Sequence, residues 1–275
     1  MQVKHLGNTD FNIIMECFLL AFENYFVPMP TDYNFYKKRW EVAGVRYDLS
    51  YGMFNEDRLV GFIINAIDKR QGYVIAYNSG TGVIPEYRGR RIVKSIYEYA
   101  IPELIKNGIT KCQLEVITEN QKAIKSYEGI GFKICKHFKC YKGRLLTQRE
   151  TNYSLSQVSH RDFNWVEFLN QDLYSWDNQK ESVIKGDFKY YLVKVDGTLQ
   201  SYFIINPKSG YIAQFEVLDN TVLHWQNLFS AIQSIIPEVK INNVDERLTY
   251  KINEVEKLGL KNIVNQFEME LFLKV

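Results

Sequence analysis

A surplus of charge of either sign is missing from this 275-residue sequence, in which 34 Lys and Arg face 32 Asp and Glu for a net charge of +2. That balance excludes the broad basic face that nucleic acid or an anionic membrane surface requires, so any cationic site is local. No apolar run approaches the roughly 18 residues of a membrane span. The opening MQVKHLGNTD also lacks the basic-then-apolar layout of a secretory leader. Cysteine is scarce: Cys17, Cys112, Cys135 and Cys140 show no CxxC spacing, and His5, His137, His160 and His224 are scattered. These absences predict free thiols, no metal site and a cytoplasmic protein.

The length suggests two domains, and the elements repeat. A strand at MQVKHL leads to a helix with apolar residues at 11, 14, 18, 22 and 26, then a second helix in TDYNFYKKRWEVAG. Three strands follow in LSYGMFN, EDRLVGFIINAID and GYVIAYNSGTGVI. A helix is expected from about Arg88 to Lys106, bent or shortened at Pro102. After it come a strand in KCQLEVIT, a helix in NQKAIKSYEGIG and a strand in FKICKHFKCYKG. The polar stretch LLTQRETNYSLSQ reads as a linker, which divides the chain into domains at 1–143 and 153–275 with residues 144–152 between them. The second half repeats the plan, with FIIN identical at 62–65 and 203–206. The offset between halves is 210 − 72 = 138 at a Gly-Tyr pair and 259 − 131 = 128 at a later glycine. The missing residues are assigned to the stretch where the first half carries GTGVIPEYRGRR, as if the second half kept the fold and lost a ligand site.

The segment GVIPEYRGRRIVKSIYEY puts Arg88, Arg90, Arg91 and Lys94 at the expected helix entrance. Cations are disfavoured at the positive end of a helix dipole. A docked diphosphate would reconcile them, because a strand, a glycine-bearing loop and a helix N-terminus together present bare backbone N–H groups to an anion. The alternative is that these side chains fan into solvent and pair with Glu86 or Glu98. There is no third glycine at dinucleotide spacing and no GxxxxGK[ST].

GVIPEYRGRRI resembles the coenzyme A loop of the GNAT superfamily of N-acetyltransferases, in which a strand ending V-x-P leads into [QR]-x-x-G-x-[GA]. The resemblance extends over residues 1–143 and includes Asn120, Ala123, Tyr127, Gly131 and Phe132 in ENQKAIKSYEGIGF. It implies an α/β (α+β) fold of two GNAT-like domains, each a mixed, mostly antiparallel twisted sheet flanked by helices, the second degenerate. It further implies acetyl-CoA or coenzyme A as cofactor, bound by Thr81, Gly82, Val83, Arg88, Gly89, Arg90, Arg91, Ile92, Val93, Asn120 and Tyr127. Gly80 and Gly82 are expected to open the strand to the pantetheine arm. The sequence departs from the pattern where Arg91 replaces the motif glycine and Val93 its Gly or Ala; a helical backbone is expected to accommodate Arg91. By the same resemblance Tyr127 is the general acid. Glu115 and Glu23 are the candidate bases, with Glu23, Tyr25 and Phe26 on the substrate side. The expected activity is acetyl-CoA-dependent N-acetylation of a primary amine, small-molecule or peptide, by direct attack in a ternary complex. A non-catalytic coenzyme A sensor or an interaction scaffold is the alternative. A monomer or homodimer is expected, with neither nucleic acid nor membrane as partner.

Overall fold

The computed structural model describes residues 1–147 and 152–274. The chain forms two compact units, one made of residues 1–135 with the C-terminal segment from Phe267, the other of Lys136–Gln266. This differs from the division expected from sequence, because the last segment of the chain belongs to the first unit. Of the expected linker 144–152, residues 148–151 lie outside the described residues. Arg144 ends a strand, and the Leu145 amide donates to the Pro237 carbonyl at 2.8 Å.

In the first unit the elements run β1 (Gln2–His5), α1 (Phe11–Ala21), α2 (Tyr33–Ala43), β2 (Tyr51–Asn55), β3 (Arg58–Arg70), β4 (Tyr73–Val83), α3 (Ile92–Lys106), β5 (Lys111–Ile117) and α4 (Gln121–Glu128). Strand β6 (Lys133–Arg144) begins here and continues in the second unit. Asp10 and Asp32 start α1 and α2 by accepting from the amides of Asn12 and Asn34 at 2.7 and 2.9 Å. Strands β1 to β4 pair antiparallel in sequence, and β5 pairs parallel to β4. Residues from Phe267 onward lie beside β5, where the Leu273 amide reaches the Thr110 carbonyl at 2.9 Å. The hydrophobic run of β3 is buried on both faces, as a central strand requires. Ile92 of α3 packs on the Gly61 face, and Phe18 and Ala21 of α1 pack on the opposite face at Gly80 and Gly82.

Two expectations for α3 are corrected. It begins at Ile92 rather than Arg88, because Pro85–Tyr87 form a 3-10 turn and Gly89 and Arg91 adopt φ of +78° and +57°. The three arginines therefore precede the helix, and only Lys94 stands in its first turn. The helix also continues past Pro102 to Lys106.

The second unit continues with β7 (Ser154–Val158), α5 (Lys180–Val183), β8 (Lys189–Val195), β9 (Thr198–Asn206), β10 (Tyr211–Val217), α6 (Val222–Ile235), β11 (Glu238–Asp245), α7 (Thr249–Lys257) and β12 (Lys261–Phe272), whose last residues belong to the first unit. Its strand order is β6-β11-β10-β9-β8-β7, with only β10 and β11 parallel. The core centres on Phe203, Phe215, Trp225, Leu228 and Phe229.

Both units carry a bulge on the strand before the crossover helix: Ser79 is the extra residue in β4 and Ala213 in β10. The bulge falls opposite the third and fourth residues of FIIN in the first unit but the second and third in the second. The shared letters are thus one residue out of structural register, and a one-residue slip exchanges faces. The repeat rests on element order instead. From strand end to helix start the chain spends residues 84–91 in the first unit and 218–221 in the second. The loop therefore accounts for four of the missing residues, not all of them.

Candidate active site

A cleft of about 950 Å³ opens in the first unit between the end of β4, the entrance of α3, the helix α4 and the turn after α1. Its origin is a strand separation. The parallel pairing of β4 with β5 covers Ile75–Asn78 against Lys111–Leu114 and goes no further, although β4 runs on to Val83. The Ser79 bulge lies just past the last pair and re-aims the strand. Thr81, Gly82 and Val83 then line the cleft. The missing side chain at Gly82 has an internal cause: a Cβ there would stand 2.6 Å from the Ala21 Cβ and 2.8 Å from Phe62 Cζ. Glycine lets α1 approach the sheet at this point, a packing role in addition to the one expected for it toward the pantetheine arm.

At the far side α3 starts without a side-chain cap, so its first-turn amides have no helical acceptor. Gly89 leaves open space, with nothing within 4 Å of a Cβ position. Arg91 occupies the left-handed region that favours glycine. This contradicts the helical backbone expected there. The three arginines have separate fates. Arg88 donates through Nε to the Val83 carbonyl at 3.1 Å and through Nη2 to the Ala21 carbonyl at 3.0 Å, tying the ends of β4 and α1 together. Arg90 lies over the Tyr87 ring at 4.9 Å and does not line the cleft. Arg91 lines it, with Gly89, Ile92 and Val93. Of the acids expected to pair with these arginines, Glu86 meets Arg58 at 3.6 Å and Glu98 meets Lys94 at 3.9 Å.

The opposite wall is α4. Asn120 caps it, its Oδ1 accepting from the Ala123 amide at 3.2 Å. Tyr127 is buried two turns beyond that cap, and burial pushes its phenol up to about 12. Behind them stands a polar cluster that sequence reasoning missed. Asn78 accepts from the Gly80 amide at 2.9 Å and donates to the Tyr97 hydroxyl at 2.8 Å and to the Thr81 hydroxyl. Lys122 and Lys125 also line the cleft. Their i, i+3 spacing beside the Asn120 cap was the available signal.

Glu23, Tyr25 and Phe26 stand at the mouth of the cleft and border a second hollow of about 680 Å³ with Pro28 and Met29. Glu115, on β5, is not among the residues that line the cleft. Trp40 is a core residue with 1% of its surface exposed, packed edge-on against Phe18 and Phe11.

The matching place in the second unit is closed. There α6 is capped by its own Thr221, which accepts from the His224 amide at 3.2 Å. Beyond the short β10–β11 pairing, the Lys251 ammonium fills the gap, donating to the Phe215 carbonyl at 2.8 Å and meeting the buried Glu216 carboxylate at 3.0 Å. Tyr174 donates to the same carbonyl at 3.2 Å. No cluster of three or more His, Cys, Asp or Glu among the described residues is placed to hold a metal ion, and no helix among them is long and apolar enough to cross a membrane.

Residues 11–132 match the model of the Acetyltransferase (GNAT) family. The chain is 23% identical over 111 residues to N-alpha-acetyltransferase 30 of Schizosaccharomyces pombe, covering 40% of this chain and 69% of that protein. A tandem GNAT protein from the clavulanic acid biosynthesis pathway is similar in structure over 100% of this chain and 99% of its own, with a TM-score of 0.70 at 14% identity. A putative acetyltransferase from Pyrococcus horikoshii is similar over 100% and 90%, at 0.67 and 15%. Residues 11–132 thus match a GNAT acetyltransferase model, and the chain as a whole has the fold of tandem GNAT proteins.

Proposed function

We propose that the first unit is an acetyl-CoA-dependent N-acetyltransferase acting on a primary amine by direct attack, and that the second has lost this site. The observation that carries the reading is the convergence of an uncapped helix entrance and an inward tyrosine on one cleft. The residues fit the cofactor: bare amides at Ile92–Lys94, open space at Gly89 and the cation of Arg91 suit a diphosphate. Thr81–Val83 offer backbone beyond the last strand pair to an amide-bearing arm, as an added strand would. The cofactor supplies an activated acetyl thioester.

The chain's own residues do the rest. Tyr127 keeps its proton throughout the neutral range because burial holds its phenol near 12. It gives that proton to the departing sulfur as the N–C bond forms and the C–S bond breaks, and is reprotonated through solvent by the proton that the acylated nitrogen loses. Glu23, exposed at the mouth, takes the proton of the incoming ammonium through water. Glu115 has no part in this scheme.

The second reading, a coenzyme A binder without turnover, is favoured by the commitment of the Arg88 guanidinium to carbonyls. Free-thiol release from acetyl-CoA across a panel of small and peptide amines separates the two. The proposal expects release with at least one amine and a loss of about 100-fold in kcat for Tyr127→Phe at little change in acetyl-CoA affinity. Bound cofactor with no release on any amine would favour the second reading.

A further inference from the structure

The turn after α1 separates two spaces of unlike chemistry. Phe22, Glu23, Asn24, Tyr25 and Phe26 line both the cleft and the hollow of about 680 Å³, so the two spaces adjoin along one turn. Asn24, at φ of +60°, reverses the chain there, and the Tyr25 amide donates to the Phe22 carbonyl at 3.1 Å. The cleft carries the cations Arg88, Arg91, Lys122 and Lys125. Among the described residues that line the hollow there is no cation, and Glu23 is the one charged side chain. Its carboxylate meets no ion-pair partner among the described residues. The floor of the hollow is apolar and anchored, since Leu19, Phe22 and Met29 pack against the first core. Its rim is apolar and bare, with Leu20 44% exposed and Phe26 55%. The Phe26 ring stands edge-on to Tyr25 at 5.4 Å, Tyr25 edge-on to Phe22 at 4.9 Å, and Phe22 against the buried Phe18 at 4.5 Å. The exposed ring is therefore the outer end of a chain of rings that starts in the core. Bare apolar side chains over an anchored apolar floor mark a binding surface.

We propose that this hollow holds the body of the acceptor, and that the acceptor is a primary amine bearing an aryl or alkyl group and no carboxylate. The inference rests on the cleft being the acetyl-transfer site, and it names the class of amine that site takes. Charge decides the class. An ammonium is attracted to the Glu23 carboxylate at the junction of the two spaces. The carboxylate of a free amino acid would meet that same acid with no Lys or Arg in the hollow to offset it. A polyamine brings a second cation, for which the hollow holds no second acid. An amino sugar brings several hydroxyls into a lining where Asn24, Tyr25 and Thr31 are the neutral side chains with polar atoms. A ring or an alkyl chain needs no such partner and takes Leu20 and Phe26 out of water.

Matched acceptors test this on the full chain with acetyl-CoA. Phenethylamine against ethylamine reads the apolar body, and phenethylamine against phenylalanine reads the carboxylate. Relative to phenethylamine, kcat/KM should fall about tenfold or more for each of the other two. Phe26→Ala should cost phenethylamine about tenfold and ethylamine far less. Thr31→Lys, which sets a cation in the wall of the hollow, should narrow the gap between phenethylamine and phenylalanine. Ethylamine or phenylalanine matching phenethylamine, or spermidine exceeding it, overturns the inference while leaving the transferase reading intact. A second readout needs no turnover. With coenzyme A present, saturation-transfer NMR should show phenethylamine bound to the wild type and about tenfold more weakly to Phe26→Ala. That result without thiol release on any amine supports the hollow as an amine site and contradicts the transferase reading. Absence of phenethylamine binding to the wild type overturns the inference whichever amine is acetylated.

Discussion

Arg91 concentrates the chemistry of the site in one residue. It stands where the family motif has glycine, and its φ of +57° is the conformation for which glycine is suited. A non-glycine residue there costs on the order of 1 kcal/mol. That cost is understandable if the side chain is needed, and Arg91 is the one of the three loop arginines that lines the cleft without a carbonyl or ring to hold it. Arg91→Gly should therefore raise stability by about 1 kcal/mol in urea unfolding while weakening coenzyme A binding by calorimetry. Stabilisation without any loss of affinity would remove Arg91 from the cofactor site. Tyr127 shows the complementary case, a residue identified through its place in ENQKAIKSYEGIGF whose surroundings were hidden. Thr81 lies about 50 residues away in sequence and shares the cleft with it because the end of β4 and α4 both border that space.

The two crossover helices, α3 and α6, state the difference between the units most clearly. One begins bare and borders the cleft, while the other begins on its own Thr221 cap. Thr221→Ala should cost about 1 kcal/mol of stability, measured by denaturant unfolding, and leave acetyl-CoA binding unaltered. A change in binding would place a ligand function at α6. Most elements were readable from apolar spacing and turn residues. The start of α3 was not. Helical periodicity in the 92, 96, 100 and 104 positions says where a helix lies, but nothing in the letters RGRR reveals two left-handed residues that delay it. The role of Arg88 was equally hidden, since its Ala21 acceptor is 67 residues away. In the second half the expectation of a lost site rests on missing residues, whereas the structure has at the matching place a buried Lys251–Glu216 pair that no spacing announces.

Across the whole chain the folding units do not follow the sequence halves. Met269 is fully buried in the first core, Leu273 packs with it, and Glu270 meets Lys111 at 3.3 Å. A fragment of residues 1–143 lacks all three and leaves β5 without the neighbour that the C-terminal segment provides. It should show no cooperative thermal transition comparable to that of the full chain, as followed by circular dichroism. A fragment that melts like the intact protein would contradict the division at residues 135 and 267. The account as a whole stands on the entrance of α3, and amide NMR of the full-length protein during titration with coenzyme A reads that entrance directly. The largest shifts should fall on Gly89 and on Arg91 to Lys94, with Thr81–Val83 following and the surroundings of Lys251 unmoved. Saturating coenzyme A that leaves those amides in place would contradict it.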